Sequence, residues 1–245
     1  MEFPRINLHT HSIFSDGKNS IKDMVNKALE LGINYLAITD HLTNSWKSGI
    51  MSNLDSRDKI EDYLNEISEC QEFLADNNKN LRLLKGIEVD LGSSANYIKR
   101  LINPTKFEII IFEYLETPEG IAFIRNLIDQ WKPKKPVSPL KDFPLIGLAH
   151  FDPSNFLYDG LNVLIQFLKD YNIFFEFNSR YPQYYSWRNE IFFKRLKEHN
   201  ILISIGSDSH DSRSLDNILD PQIMIEAYNL EGNLEMFINH LKQKF

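Results

Sequence analysis

Two short segments at opposite ends of the chain carry metal-binding residue types at the same spacing. His9 and His11 follow an apolar run in RINLHTHSIFSDG, and Asp208 and His210 follow another in SIGSDSHD. On an extended segment residues i and i+2 point to the same side, so each pair can bind one ion or two neighbouring ions. A mixture of imidazole and carboxylate ligands suits Zn, Mn or Fe, whereas sites for Ca or Mg are typically lined by oxygen atoms alone.

Further candidate ligands also stand just after, or near the end of, apolar runs. His41 lies in TDH, Glu88 in GIEV, Glu113 in IIIFEYLE and His150 in LAHFD. A lone buried histidine is more often a hydrogen-bonded core residue than a ligand. Five of the seven histidines, however, occupy the same kind of position. If all five were ordinary core residues, this shared placement would have to arise by chance five times. The constellation therefore predicts metal binding.

The segments that must position these residues alternate between strand and helix patterns. Because the carboxyl ends of parallel strands meet at one face, residues that follow successive strands converge there although they are far apart in sequence. The alternation predicts an α/β protein with a parallel sheet, either open and doubly wound or closed into a barrel. Seven apolar, often β-branched runs are predicted as strands, at 5–9, 34–39, 83–89, 107–114, 145–149, 173–177 and 202–206.

The helix patterns fall between these strands. Ser20 as N-cap and Gly32 just past the end delimit the first helix. The second, from 55 to about 77, carries Cys70 on its apolar stripe, so we interpret that thiol as a core residue rather than a nucleophile. Pro118 favours a helix start at 117. The remaining helices are predicted at 117–131, 153–170, 186–199 and 231–242.

Composition limits the kinds of protein the chain can be. At 245 residues and 42% hydrophobic residues it can form one large barrel domain or two small ones. The only linker-like stretch, KPKKPVSPLK at 132–141, is too short to separate domains, so we expect one domain over 1–245. The net charge is 27 − 34 = −7, which gives no bulk attraction to nucleic acid or anionic membranes.

Targeting and redox features are equally plain. A single cysteine excludes an internal disulfide and suits a reducing compartment. The N-terminal sequence lacks the pattern of a signal peptide, and no stretch reaches the roughly 20 apolar residues of a membrane span. We therefore expect a soluble cytoplasmic protein that binds neither nucleic acid nor membranes.

The ordered series HTHSIFSDG, TDH, GIEV, LAHFD, FEFNS and GSDSH, spread over nearly the whole chain, resembles the polymerase and histidinol phosphatase (PHP) superfamily of metal-dependent phosphoesterases. The resemblance implies a distorted seven-stranded (β/α)7 barrel with up to three divalent transition metals. A hydroxide bridging the metals would attack phosphorus, while the metals neutralise the developing oxygen charge. The implied ligands are His9, His11, Asp208 and the bridging Glu88 at one metal, Asp16, His41 and His210 at a second, and Glu88 with His150 at a third.

Two positions depart from the family pattern. Members usually have a histidine at the end of the fourth strand, where this chain has Glu113 in IIIFEYLE. Either Glu113 is a substitute ligand for the third metal, or the third metal is weakly bound or absent and Glu113 is a solvated strand-end carboxylate. Phe151 stands where proline commonly follows the histidine, and we expect it to alter the pocket wall more than the chemistry.

The expected substrate is a small phosphorylated molecule. Arg180 follows the sixth strand and can reach the same face, where its planar guanidinium suits bidentate phosphate contact. We therefore predict a catalytic role for Arg180. We predict a catalytic role for the metal ligand Asp208 as well. Trp46 and the aromatics of YPQYYSW lie near the predicted pocket mouth, where they either pack the loops or stack on a substrate ring. The predicted activity is phosphate-ester hydrolysis. Amide or cyclic phosphodiester hydrolysis on the same metals, or a barrel that only binds a ligand, are the alternatives.

Overall fold

A computed structural model describes residues 3–132 and 143–245 of the chain. Within these residues strands and helices alternate, as the sequence predicts. Apart from Lys132, the linker-like stretch at 132–141 lies outside the described residues. The strands are β1 (Ile6–Asn7), β2 (Tyr35–Ile38), β3 (His41–Leu42), β4 (Arg82–Asp90), β5 (Ile109–Glu113), β6 (Leu145–Leu148), β7 (Phe174–Asn178) and β8 (Ile203–Gly206).

The sheet is a nearly closed barrel of seven parallel strands. Its order is β1-β2-β4-β5-β6-β7-β8, and the two-residue strand β3 pairs with the end of β4, with His41 opposite Glu88. Across the seam between the first and last strands, the Leu8 amide donates to Ile205 O at 3.0 Å and the His11 amide donates to Ser209 O at 2.8 Å. The predicted (β/α)7 barrel is thus confirmed, and β3 is the strand that the sequence pattern did not reveal.

The helices begin and end largely where capping residues predict. Ser20 Oγ accepts from the Asp23 amide at 3.1 Å at the start of the first helix, and Gly32 adopts φ of +66° beyond its end. Cys70 is buried on the second helix, as predicted. The helices are α1 (Ile21–Glu30), α2 (Arg57–Asp76), α3 (Ala95–Leu101), α4 (Pro118–Trp131), α5 (Leu161–Tyr171), α6 (Glu190–Glu198), α7 (Leu219–Ala227) and α8 (Glu231–Lys244).

Two predicted helices start later than expected. The helix predicted from 153 begins at Leu161, because Gly160 takes a left-handed φ of +97° after the short 3₁₀ turn Pro153–Phe156. Likewise the helix predicted from 186 begins at Glu190, after a 3₁₀ turn. Two further helices, α3 and α7, were not predicted.

Apolar side chains fill the barrel interior at the amino-terminal end of the strands. The buried histidines and carboxylates lie near the carboxyl ends of the strands. Phe174, the first residue of β7, packs against Phe237 of α8 with ring centroids 4.9 Å apart. The helices cover the outside of the barrel with a second, larger apolar layer. No helix in the described ranges is both long enough and apolar enough to cross a bilayer. The interior residues are Leu8, Ala37, Leu84, Ile109, Ile111, Leu145, Ala149, Phe174, Leu202, Phe237 and Leu241.

Candidate metal centre

Three strands place a carboxylate at an interior position near their carboxyl ends. Side chains alternate along a strand, so interior Leu84 on β4 puts Glu88 on the same face, and interior Phe174 on β7 does so for Glu176. Glu113 occupies the corresponding position at the end of β5. All three carboxylates are buried, which is costly for a charge unless it is paired or binds a cation.

His9, His11 and Asp208 bring three ligand atoms together across the barrel seam. The Nε2 atoms of His9 and His11 lie 3.1 Å apart. Asp208 Oδ1 lies 3.0 Å from His11 Nε2 and 3.7 Å from His9 Nε2. All three side chains are buried, and their ligand atoms are close enough together to contact one ion. The two segments that share the two-residue spacing in the sequence therefore do converge.

A second group lies nearer to solvent. Asp16 Oδ2 is 3.1 Å from His210 Nε2, and Asp16 Oδ1 is 3.6 Å from His41 Nε2. His11 also contributes to this group, with Nδ1 4.0 Å from Asp16 Oδ1. His11 lies between the two groups, and it was not among the ligands predicted for the second site.

Glu88 stands at the middle of the centre. Its Oε1 lies 3.2 Å from His9 Nε2 and 3.1 Å from His150 Nε2, and its Oε2 lies 2.8 Å from His41 Nδ1. Nevertheless, neither Glu88 oxygen accepts a well-aligned hydrogen bond from the described residues, although these ring nitrogens lie within 3.2 Å. Both oxygens are fully buried. A buried carboxylate ringed by imidazoles is a donor set that fits divalent transition metals.

The pKa values of the ring nitrogens reflect this crowding. Burial and the neighbouring His41 lower the pKa of His11 to about 3. Burial also disfavours protonation of His41, but Glu88, Glu113 and Asp16 together outweigh it and raise the pKa of His41 to about 9. Burial alone would raise the pKa of Glu88, yet His9 and His41 hold it well below its usual value. The centre thus contains an ionised carboxylate and at least one neutral imidazole, the forms that bind metals.

Glu176 orients His9 and was missed in the sequence. His9 Nδ1–H donates to Glu176 Oε1 at 2.9 Å, which leaves Nε2 facing Glu88 and the other ligands. The His150 amide donates to Glu176 Oε2 at 2.7 Å, so the same carboxylate also fixes the start of the His150 loop. Gly206 leaves room for this pair, because a Cβ there would overlap with Glu176. The available signal was an acidic residue at an interior position of the apolar strand IFFEF.

Replacing Glu176 with glutamine is expected to weaken metal binding about 10 to 100-fold, the usual cost of losing an outer-shell carboxylate. Glutamine keeps the size of the side chain but removes the charge that makes His9 a better ligand. Competition with a chromophoric chelator measures the affinity, and Glu69→Gln on the exposed face of α2 is the matched control. Unchanged affinity in Glu176→Gln would show that His9 does not depend on this contact.

Asp40 holds the loop that carries the second group. Its Oδ1 accepts from the Ser12 amide at 2.8 Å and its Oδ2 from Ser12 Oγ at 2.5 Å, and Ser15 Oγ donates to it as well. Burial raises the pKa of Asp40, and these hydroxyl and amide donors oppose that rise. Through these hydrogen bonds Asp40 fixes the backbone between His11 and Asp16.

Glu113 is buried and paired with a lysine. Lys47 Nζ lies 2.8 Å from Glu113 Oε2 and 2.9 Å from Oε1. The interpretation of Glu113 as a solvated strand-end carboxylate is therefore wrong, because its exposed fraction is only 1%. Burial and the charge of Glu88 raise the pKa of Glu113 to about 7, while His41 and Lys47 act in the opposite direction. Nothing in the sequence around Lys47 pointed to this contact.

The backbone at the mouth of the barrel adopts left-handed conformations at three non-glycine residues. Tyr114 has φ of +64°, His150 of +31° and Asp208 of +50°. Such conformations cost roughly 1–3 kcal/mol each and tend to concentrate at functional sites. Here they follow β5, β6 and β8 and turn the chain at the points where the candidate ligands stand.

Arg180 reaches the same face, as predicted. Its Nη1 lies 2.8 Å from His210 Nδ1 and donates to Asp208 O at 3.2 Å, while half of the side chain remains exposed. The guanidinium therefore presents its remaining donors to solvent beside the ligands.

The predicted aromatics divide between the site and the core. Tyr181 contacts the ring of His150 at 4.6 Å, whereas Tyr185 packs against Phe177 in the core. Trp46 is exposed and lines a cavity of about 600 Å³ that also touches Lys47 and Tyr114. The expectation for Phe151 was wrong: its ring lies in the outer core against Phe156, Phe175 and Phe192, so it does not form the pocket wall.

Comparison with known proteins gives consistent matches. The family model of the PHP domain matches residues 7–216. A DNA polymerase/3'-5' exonuclease PolX from Bacillus subtilis (strain 168) is 35% identical over 85 residues, which make up 34% of this chain and 13% of that protein. This chain therefore spans only a small part of that relative.

Solved structures share the fold at low identity. Histidinol phosphate phosphatase from Lactococcus lactis, in complex with Zn, L-histidinol and phosphate, has a TM-score of 0.60 at 15% identity, covering 91% of this chain and 93% of that one. A second match is one of the crystal structures of YwqE from Bacillus subtilis and CpsB from Streptococcus pneumoniae, which are described as metal-dependent tyrosine phosphatases. It has a TM-score of 0.55 at 16% identity, covering 91% of this chain and 86% of that one.

Proposed function

Because the chain belongs to the PHP domain family, we propose that it is a metal-dependent hydrolase that cleaves the phosphate ester of a small molecule. The observation that carries the proposal is the Glu88 carboxylate, which is buried, accepts no well-aligned hydrogen bond from the described residues, and is surrounded by the ring nitrogens of His9, His41 and His150. Such a carboxylate is stable in the barrel when a bound cation compensates its charge.

The proposed ligand sets follow the two groups of the centre and the shared carboxylate. Divalent transition metals of the Zn, Mn or Fe type would polarise the phosphoryl oxygens and lower the pKa of a nucleophilic water. Glu176 holds the His9 ring in the orientation that presents Nε2, and Asp40 holds the backbone of the Asp16 loop. The proposed ligands are His9, His11, Glu88, His150 and Asp208 in the buried part, and His11, Asp16, His41 and His210 nearer to solvent.

We assign the whole chain to one domain. The seam of the barrel joins residues near both ends of the described chain, since Asn7 Nδ2 donates to Ser207 Oγ at 2.7 Å. A site whose ligands run from His9 to His210 needs both ends in the same folded unit.

Arg180 is proposed to bind an oxygen of the phosphate that is not transferred to water. The net charge of −7 does not attract anions, so an anionic substrate must be bound locally. The half-exposed guanidinium lies against the carbonyl of Asp208 and can offer two parallel donors to a phosphate.

A small substrate is supported by two findings. The cavity beside Trp46 and Lys47 measures about 600 Å³, which is the size of a small-molecule site; it adjoins the centre through Lys47 and Tyr114, and none of the described residues that line it is a candidate ligand. Histidinol phosphate phosphatase, with a similar barrel, is described with L-histidinol and phosphate bound.

Release of inorganic phosphate tests the proposed activity. Protein loaded with Mn or Zn should hydrolyse members of a panel of phosphomonoesters that includes histidinol phosphate, phosphotyrosine and p-nitrophenyl phosphate. Turnover of cyclic phosphodiesters or amides alone would replace the proposal with one of those hydrolase activities. Binding of phosphomonoesters without turnover, at full metal content, would indicate a barrel that only binds its ligand.

Replacing Arg180 with lysine is expected to lower kcat/KM roughly 10 to 150-fold, which corresponds to about 1.5 to 3 kcal/mol for one charged hydrogen bond. Lysine keeps the charge but lacks the planar fork. Steady-state kinetics on a hydrolysed phosphomonoester, with the metal content of each variant determined, measure the effect. Arg125→Lys, on the exposed face of α4, is the matched control. Wild-type kinetics in Arg180→Ala at full metal content would remove Arg180 from the site.

A further inference from the structure

Lys47 carries a positive charge into the edge of the metal centre. It lies on the 3₁₀ turn Trp46–Gly49, and its Nζ contacts both oxygens of Glu113 and the face of the Tyr114 ring, at 4.0 Å from the centroid. Only 10% of its side chain is exposed. An ammonium that is largely withdrawn from water needs a partner of opposite charge, and Glu113 supplies it.

The same Glu113 carboxylate faces the candidate ligands on its other side. Its Oε1 lies 3.7 Å from His41 Nδ1 and its Oε2 lies 3.8 Å from His150 Nε2. Glu113, His41 and Glu88 also have ligand atoms close enough together to contact a cation. Glu113 therefore has two possible partners, the ammonium of Lys47 and a divalent ion. The two compete, because like charges that share one buried carboxylate repel each other strongly.

The turn that carries Lys47 is fixed in place. Ser45 Oγ accepts from the Lys47 amide at 3.3 Å and donates to Asp90 Oδ2 at 2.5 Å. Asp90 also accepts from Thr43 Oγ1 at 2.6 Å. Because these contacts hold the turn against the end of β4, the lysine side chain is directed at Glu113 in advance of any ligand.

We propose that the ammonium of Lys47 replaces a third divalent cation beside Glu113, so that the centre binds two divalent ions and Glu113 is the counter-ion of Lys47. The inference rests on the proposed function, since it presumes the metal centre. It accounts for the carboxylate at the end of β5, where the family resemblance implies a histidine: a carboxylate can neutralise a lysine, whereas a histidine cannot. The centre then carries one unit of positive charge at this position instead of two.

Metal content distinguishes this arrangement from a three-metal centre. Protein reconstituted with Mn or Zn and freed of excess metal is analysed by elemental analysis, as wild type, Lys47→Met, Glu113→Gln and the double variant. We expect two equivalents per chain in wild type and in Glu113→Gln, three in Lys47→Met, and two again in the double variant. Lys106→Met removes an exposed lysine before β5, at the opposite end of the strand from Glu113, and should leave two equivalents.

A second measurement follows the ion pair without metal. In chelator-treated protein, Lys47→Met should melt at a lower temperature than wild type because Glu113 is left buried and unpaired, and the double variant should recover part of the loss. If Lys47→Met does not fold, Glu113→Gln decides: an unchanged two equivalents supports the proposal, and loss of an equivalent overturns it.

Three equivalents in wild type, or two in a folded Lys47→Met, would also overturn the proposal while leaving the metal centre intact. Fewer than two equivalents in wild type would instead overturn the proposed two-ion centre, and this inference with it.

Discussion

Replacing Glu88 with glutamine is expected to lower kcat/KM at least ~100-fold, because outer-shell changes alone cost up to that much and Glu88 is proposed as a shared ligand. The amide loses one anionic oxygen and presents an NH₂ group to the rings of His9, His41 and His150, which lie within 3.2 Å of the carboxylate. The variant should also bind less metal. Kinetics and elemental analysis on the same preparation measure both effects.

Glu113→Gln is the matched control for this change. Both residues are buried carboxylates at interior positions near strand ends, but the oxygens of Glu113 are paired with Lys47 whereas those of Glu88 accept no hydrogen bond in the described part of the chain. The loss of activity should therefore be smaller in Glu113→Gln. Equal losses in the two variants would contradict the central position given to Glu88.

Removing the metals with a chelator is expected to lower the melting temperature by about 10 °C. A ligand present at 1,000 times its dissociation constant stabilises the folded state by about 4 kcal/mol, and each kcal/mol corresponds to roughly 2–4 °C for a domain of this size. The ligands come from opposite ends of the chain, so the site does not exist in the unfolded state. Differential scanning calorimetry with and without chelator measures the shift.

Glu88→Gln also provides the control for the thermal measurement. Its melting temperature should respond much less to the chelator, since it is expected to bind less metal from the start. A wild-type shift below about 2 °C, with metal content confirmed before treatment, would mean that metal binding contributes little to stability.

The barrel was predictable because burial on both faces leaves a clear mark on a parallel strand. All seven predicted strands lie on the barrel path, since runs such as FEIIIFEY contain too few polar residues for an exposed element. The two-residue β3 is too short to leave any pattern. Helix α3 spans barely two turns, and α7 has exposed Leu219 and Ile223 and contains Pro221 in its first turn, so neither shows a clean apolar stripe.

The site was predictable where residue type itself reveals chemistry. Histidines after strands are rare enough to be informative, and the structure brings His9, His11 and Asp208 together although their roles as ligands remain predictions. Lys47 and Glu176 were missed because lysine and glutamate are common everywhere, and only the tertiary arrangement shows that these two are buried against the ligands. The position of Phe151 was predicted wrongly because it follows His150 directly in the sequence. His150 points into the site, whereas Phe151 points away from it into the outer core.

The seam between β1 and β8 has a consequence for how the protein is made. His9 and His11 lie on one side of it, Asp208 and His210 on the other, and the side-chain contact between Asn7 and Ser207 spans 200 positions of sequence. Contacts of such long range form late, because the entropy of closing the loop must be overcome first. On the ribosome, the first histidines emerge long before the residues that complete their binding site. A nascent chain therefore displays unassembled imidazoles until the last strand is synthesised, and the full set of ligands is assembled only when the barrel closes.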